Sequence, residues 1–158
     1  MLFGDCRWYA GMRNSQGVQH AAALKDWPGM KFHACKDECR LDGVTVVRRR
    51  NRGDGLSARP DQLQWNMSSG ACAIDLAVHL GAARIVLFGF DMHAVAGRHN
   101  WHESHGARGP KFDPYSNHLK PFPAIGRALT KRGVECVNAT PGSAIDVFPI
   151  VSPADVLP

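Results

Sequence analysis

The sequence predicts an α/β protein: a three-layer, Rossmann-like domain on a parallel sheet. Three observations carry that expectation. An Ala-rich helical stretch ends at Gly81 and leads directly into Arg84-Ile85-Val86-Leu87-Phe88-Gly89-Phe90-Asp91, an apolar run without alternation that reads as a strand covered on both faces. The same order recurs downstream as a helix over Lys120–Arg132, a stop at Gly133 and a strand over Val134–Val137. The 158 residues are 44% hydrophobic and 21% charged, which suits one folded domain and excludes a disordered chain. Helix, glycine and buried strand make half of a crossover unit, and crossover units imply parallel pairing. With no internal repeat and no linker, residues 1–158 read as a single domain.

In chain order, Met1–Asp5 reads as a strand. Cys6–Asp26 is expected to contain a helix, weakened by Gly11 and Gly17. Lys31–Cys35 and Val44–Arg48 are short strand candidates. Arg49–Gln64 is polar and Gly-rich and reads as irregular. Ser68 or Ser69 can cap the next helix by accepting from the free N–H groups of its first turn. Ala73, Ile74, Ala77, Val78 and Gly81 form its apolar stripe. In the helix over Lys120–Arg132, Ile125, Ala128 and Leu129 are apolar, and Lys131 and Arg132 sit near the negative end. Pro121 and Pro123 belong at or before its first turn, because proline lacks the N–H an interior position needs. Met92–His118 reads as a long irregular excursion holding His93, His99, His102, His105 and His118, five of the eight histidines.

Nineteen Lys and Arg against fourteen Asp and Glu give a net charge of +5, which suits a phosphate-bearing ligand. The basic run Arg48-Arg49-Arg50-Asn51-Arg52 reads as a solvated edge. No helix-turn-helix, zinc-finger or aromatic RNA-reading signature accompanies it, so nucleic acid is not the expected partner. No apolar run reaches the roughly 18–20 residues of a membrane span, and no secretory signal is visible. The five cysteines, Cys6, Cys35, Cys39, Cys72 and Cys136, read as reduced thiols of a cytoplasmic protein. Cys35 and Cys39 have no second pair to complete a zinc site.

Three constellations carry chemistry. Ser68-Ser69-Gly70 opens a helix, where free N–H groups and the dipole favour an anion; the same residues also read as an ordinary cap with a glycine for close packing. Gly89-Phe90-Asp91 ends a buried strand, where open α/β sheets bind ligands; it also reads as a turn. The histidine loop suits proton transfer or metal binding. His99, His102 and His105 are spaced i, i+3, i+6, but the H-E-x-x-H pattern of zinc proteases is absent. Arg98, Arg108 and Lys111 accompany them and could neutralise phosphate.

Ser68 to Ala82, followed by Arg84 to Asp91, resembles the core of a Rossmann-like superfamily. It contains the bacterial sialyltransferases of glycosyltransferase family 42 and the 6-hydroxymethylpterin diphosphokinase MptE-like proteins. Thr140-Pro141-Gly142-Ser143 resembles their Pro-x-Ser turn, and uncharacterised phage and prophage proteins are similar to the chain as well. The resemblance implies that Ser68, Ser69 and Gly70 contact a nucleotide and that Asp5, after an early strand, reaches it. Asp5 is acidic where those enzymes carry an amide. Gly89 and Asp91 join the binding candidates. His118 is the implied general base, with His102 and His105 as rivals. The tyrosines that assist the departing phosphate have no clear counterpart, although His93 lies near one such position. The family begins with a strand and a Gly-rich phosphate loop ahead of the segment matching Met1–Asp5. The chain is therefore expected to lack that first strand and loop, with a gene start set late or half the pocket missing. Oligomerisation would cover the sheet edge this exposes.

The implied function is a nucleotide-dependent transferase of glycosyl or diphosphate type, of phage or prophage origin. A nucleotide or nucleotide sugar would be its substrate, and no further cofactor is assigned. Two other readings stand beside it: a non-catalytic phage-associated protein binding a nucleotide or a protein, and a metal-dependent hydrolase built on the histidine loop.

Overall fold

In a computed structural model of the chain, the described residues are 2–5, 26–35, 43–51, 53–99 and 113–157. Strands β1 (Leu2–Asp5), β2 (Lys31–Cys35), β3 (Thr45–Arg50) and β4 (Gln62–Gln64) form one sheet in the order β1-β2-β3-β4. Strands β5 (Arg84–Leu87) and β6 (Glu135–Asn138) form a second. Every strand pair is parallel. The helices are α1 (Ser69–His79), α2 (Tyr115–Leu119) and α3 (Phe122–Lys131). The α/β class with parallel pairing is thus as expected, in two small sheets. Among the described residues, no helix is long and apolar enough to cross a membrane.

The strands expected over Met1–Asp5 and Lys31–Cys35 are present, and two stretches read as irregular contain structure. β3 runs on to Arg50, and β4 lies inside the Arg49–Gln64 stretch. Arginine disguises β3. Arg48 and Arg50 are exposed while Arg49 is half-buried, with its guanidinium 4.3 Å from the centre of the Trp65 ring. A long aliphatic stem and a cation over an aromatic face let arginine occupy a semi-buried strand position. The helix expected from Lys120 starts at Phe122, with Pro121 as N-cap and Pro123 in the first turn. The short α2 precedes it, inside the stretch read as irregular. Residues 6–25, most of the expected Cys6–Asp26 helix, lie outside the described residues.

The core explains why α1 carries so few polar side chains. Ala71 and Ile74 join Ile85, Leu87, Phe122, Ile125 and Leu129 in one apolar cluster. Cys72 and Leu76 join Phe32, Ala34 and Leu63 in the other. A helix placed between two cores is apolar over more than one stripe. The stripe read from the sequence was therefore too narrow: Ala73, Ala77 and Val78 are half-buried, while Ala71, Cys72 and Leu76 are buried. Burying a Leu or Ile side chain stabilises by about 1.5–3 kcal/mol, so each sheet gains from its own side of α1. Cys72 and Cys136 are free, buried thiols, and burial pushes both up to about 12. Neither is a nucleophile at neutral pH.

One charged side chain crosses this apolar helix. Asp75 is fully buried. Its carboxylate accepts from Gln64 N at 2.7 Å and from Ser57 N at 3.1 and 3.2 Å. Trp65 N donates to Arg50 O of β3, so the alternate N–H of Gln64 faces away from β3. Asp75 takes that donor at the place where a further strand would pair. Ser57 is fixed a second time, its carbonyl accepting from Arg132 Nη2 at 2.7 Å. Asn66 Nδ2 donates to Gly55 O at 2.8 Å and holds the same loop. Burial pushes the Asp75 carboxyl above the usual carboxylate range, opposed by the Gln64 and Ser57 amides and by His79, whose Nε2 lies 3.5 Å from Oδ1.

Asp75→Ala strands the Ser57 and Gln64 amides in an apolar interior. It is expected to cost about 2–5 kcal/mol in urea unfolding, since each orphaned buried amide costs about 1–3 kcal/mol. Asp75→Asn keeps one acceptor oxygen and is expected to lose less.

Candidate functional site

Parallel pairing places the carboxyl ends of β5 and β6 side by side, with Leu87 in register with Asn138. The chain leaves β5 through Phe88, Gly89 (φ +69°), Phe90, Asp91 and Met92 (φ +56°). It leaves β6 into the Thr140–Ser143 turn. The two exits are stitched together. Ala139 N donates to Leu87 O at 2.8 Å and Ala144 N to Asp91 O at 2.8 Å. Phe90 N donates to Thr140 Oγ1 at 3.0 Å, and Ser143 Oγ donates to Phe90 O at 2.5 Å. The Pro-x-Ser turn read from the sequence therefore works as a brace for the strand-end Gly89-Phe90-Asp91.

Beyond the brace the chain folds back in a tight turn. Val95 and Arg98 exchange both backbone hydrogen bonds, with Ala96 at φ +50° and Gly97 at φ +76°. Two successive positive φ angles are the mark of the two-residue hairpin turn. Enclosed by these segments and α2 is a cleft of about 550 Å³. Its polar and charged lining is Asp91, His93, Arg98, His99 and Tyr115; Gly89, Met92 and Val95 add backbone and apolar surface. The Tyr115 and His99 rings stack at 5.6 Å with 17° between planes, and the Tyr115 hydroxyl donates to His99 O at 3.0 Å. Burial, then the Asp91 and Asp113 charges, push the Tyr115 phenol up, so it stays a proton donor. His93 bridges two carbonyls, Ala94 O at 3.0 Å from Nδ1 and Gly142 O at 2.9 Å from Nε2.

Two predicted site residues, Gly89 and Asp91, therefore stand in this cleft. His118 stands one helical turn after Tyr115 on α2, on the same helix face, but it is not among the residues that line the cleft. Burial pushes its imidazole below the usual range, with Asp113 opposing, so it is neutral at pH 7 and able to accept a proton. Asp5 ends β1, in register with Ala34, and belongs to the other sheet. His102 and His105, with Arg108 and Lys111, lie outside the described residues. Among the described residues, no three His, Cys, Asp or Glu side chains converge on a point that could hold a metal.

The Ser68-Ser69-Gly70 start of α1 borders the cleft without lining it. Ser68 is extended (φ −146°, ψ 130°), and its Oγ accepts from Ala71 N at 3.4 Å, the expected cap. Gly70 is required for packing. A Cβ there would come within 2.8 Å of Phe90 Cε1 and 2.9 Å of Cζ. The Phe90 ring fills that space and meets Phe122 edge-on, centroids 6.4 Å apart. The first-turn N–H groups that a helix leaves without internal acceptors therefore stand behind an aromatic wall of the cleft on the Gly70 side, while Ser69 is exposed. Sequence reasoning missed Tyr115 altogether. Its only sequence signal was its place, three residues before His118.

Gly70→Ala is expected to destabilise by about 1 kcal/mol, the usual scale of forced repacking. In a Phe90→Ala background the same substitution is expected to stabilise by up to about 1 kcal/mol, because alanine is the better helix former. A double-mutant unfolding cycle measures the reversal; equal effects in both backgrounds would contradict the Phe90 seat.

Comparisons with family models, with curated proteins and with solved structures found nothing that matches this chain.

Proposed function

We propose that the cleft at the carboxyl ends of β5 and β6 binds a nucleotide-type ligand, and that the protein is a nucleotide-dependent transferase of glycosyl or diphosphate type on a three-layer Rossmann-like domain. One observation carries the reading: Asp91, His93, Arg98 and Tyr115 line a single cleft at parallel strand ends, the position where open α/β sheets bind ligands. The start of α1 supports it from behind Phe90.

A nucleotide brings phosphate charge, hydroxyls and a flat apolar ring, and the cleft has a group for each. Arg98 and His93 offer positive charge to phosphate. Asp91 is an acceptor for sugar hydroxyls. Met92, Val95 and the Tyr115–His99 stack provide apolar and aromatic surface for a base. In the transfer step the acceptor hydroxyl attacks the donor's anomeric carbon or phosphorus. The bond to the leaving phosphate breaks, and His118 takes the hydroxyl proton. Arg98 neutralises the charge that develops on the departing phosphate.

Calorimetry against a panel of nucleotides and nucleotide sugars tests the reading, with saturable binding to at least one member expected. His118→Ala is expected to preserve that binding and to slow turnover on the order of 10²–10⁴-fold, the usual worth of a general base. A flat response across the panel overturns the proposal. Binding with no turnover for any acceptor leaves a non-catalytic nucleotide binder.

A further inference from the structure

We propose that His93 is the positioning residue of the cleft, a protonated clasp between the two loops that build it. Both ring nitrogens face carbonyl oxygens, Nδ1 toward Ala94 O at 3.0 Å and Nε2 toward Gly142 O at 2.9 Å. A neutral imidazole has one N–H and one lone pair. In either tautomer, one nitrogen would set its lone pair against a carbonyl lone pair at hydrogen-bond distance. Only the imidazolium donates to both.

The groups around the ring favour that charge. Asp91 lies two residues back in the same loop and stabilises the cation. Arg98 lines the same cleft; His99 and the neutral Tyr115 phenol complete that side, with Asp113 just before α2. The turn after β6, Ala139 to Ala144, has no ionisable side chain. The two carbonyl contacts, first Ala94 and then Gly142, push His93 above the ordinary imidazole range. Of the two bonds only that from Nε2 to Gly142 O joins the loops. A raised value means both are made at low pH, and that one bond, with the charge that strengthens the other, is lost as pH rises through it. The other ties between the loops, from Phe90 N, Ser143 Oγ and Ala144 N, do not titrate. His93 therefore adjusts the outer part of the cleft, while the brace at its base persists.

The cleft's role as binding site gives the clasp its meaning, but its test uses no ligand. Failure of nucleotide binding and failure of the clasp are thus seen separately. Nitrogen NMR of the histidine rings is expected to show His93 doubly protonated at about pH 6 and titrating above a free imidazole. Exchange of the Phe90 and Ala144 amides, corrected for the intrinsic rate, is expected to quicken about two- to tenfold across that titration, the worth of one hydrogen bond. His93→Gln can donate one bond but cannot titrate, so it should retain part of the protection with no pH step. His93→Ala should lose both. The proposal is overturned if His93 titrates at or below the free value, if wild-type exchange shows no step, or if the step persists in His93→Gln. Should His93→Ala not fold, the wild-type and His93→Gln titrations decide the matter alone.

Discussion

The buried carboxylate of Asp75 is the constraint on which the described structure turns. Removing a carboxylate from water costs several kcal/mol unless hydrogen bonds replace the lost hydration. Here the Gln64 and Ser57 amides replace it. The bonds work in both directions. Gln64 N is an edge donor of β4 that would otherwise be stranded in the interior, and Ser57 N belongs to a loop with no regular partner of its own. One side chain thereby closes the edge of the four-stranded sheet, anchors the 53–57 loop and fixes the rotation of α1 between two cores. Arg132, at the end of α3, then grips the same loop through Ser57 O, coupling α3 to α1.

Rotation of α1 governs what stands at its amino end. With Asp75 turned toward β4, Ala71 and Ile74 face β5, and Gly70 faces the chain leaving β5. Phe90 can then lie on Gly70, and the backbone beyond it must turn away sharply, which Gly89 and Met92 do at positive φ. The cleft is the space that turn leaves open. Its shape is set from two sides: by the packing of Phe90 underneath, and by the hydrogen bonds to Thr140, Gly142 and Ser143 across the strand ends. Positive φ in non-glycine residues costs energy and persists where the surroundings over-determine it. Met92 and Ala96, at the base and tip of this loop, are both held that way.

What was legible in the sequence follows from which signals are local. Ser68, Gly81 and Gly133 mark helix ends through backbone chemistry that needs no partner, and α1 and α3 stand close to where they were expected. β5 was legible because four apolar residues in succession have few other uses. β4 was not: Gln62-Leu63-Gln64 is too short to show periodicity, and it exists because a carboxylate eleven residues away takes its outer amide. Arg48–Arg50 of β3 looked like solvated charge because the aromatic face beneath Arg49 comes from Trp65, a tertiary fact. At the site, Gly89 and Asp91 were identified by their strand-end position. Tyr115 and the bridging role of His93 depend on loops meeting in space and leave no trace in spacing. Asp75 carries no signal of its burial in the sequence, because the amides that hold it come from Ser57 and Gln64.

The Phe90 seat also decides which positive charge a ligand phosphate would meet. A helix amino end near an anion contributes about 0.3–1 kcal/mol at ordinary exposure, an effect that fades beyond the first turn. A hydrogen bond to a charged group contributes about 1.5–3 kcal/mol. The Phe90 ring lies between the Gly70 side of α1 and the cleft, so a phosphate in the cleft feels the dipole across an aromatic ring, without direct N–H contact from that side. Arg98 and His93 line the cleft itself. The larger contribution to anion affinity therefore falls on Arg98, because both ring nitrogens of His93 already face carbonyls and leave it charge without a spare donor, and α1 serves chiefly as the rigid base on which the loop is built. This also separates two properties that a direct helix-end site would merge. Substitution at Gly70 acts on stability and cleft shape, whereas substitution at Arg98 acts on charge.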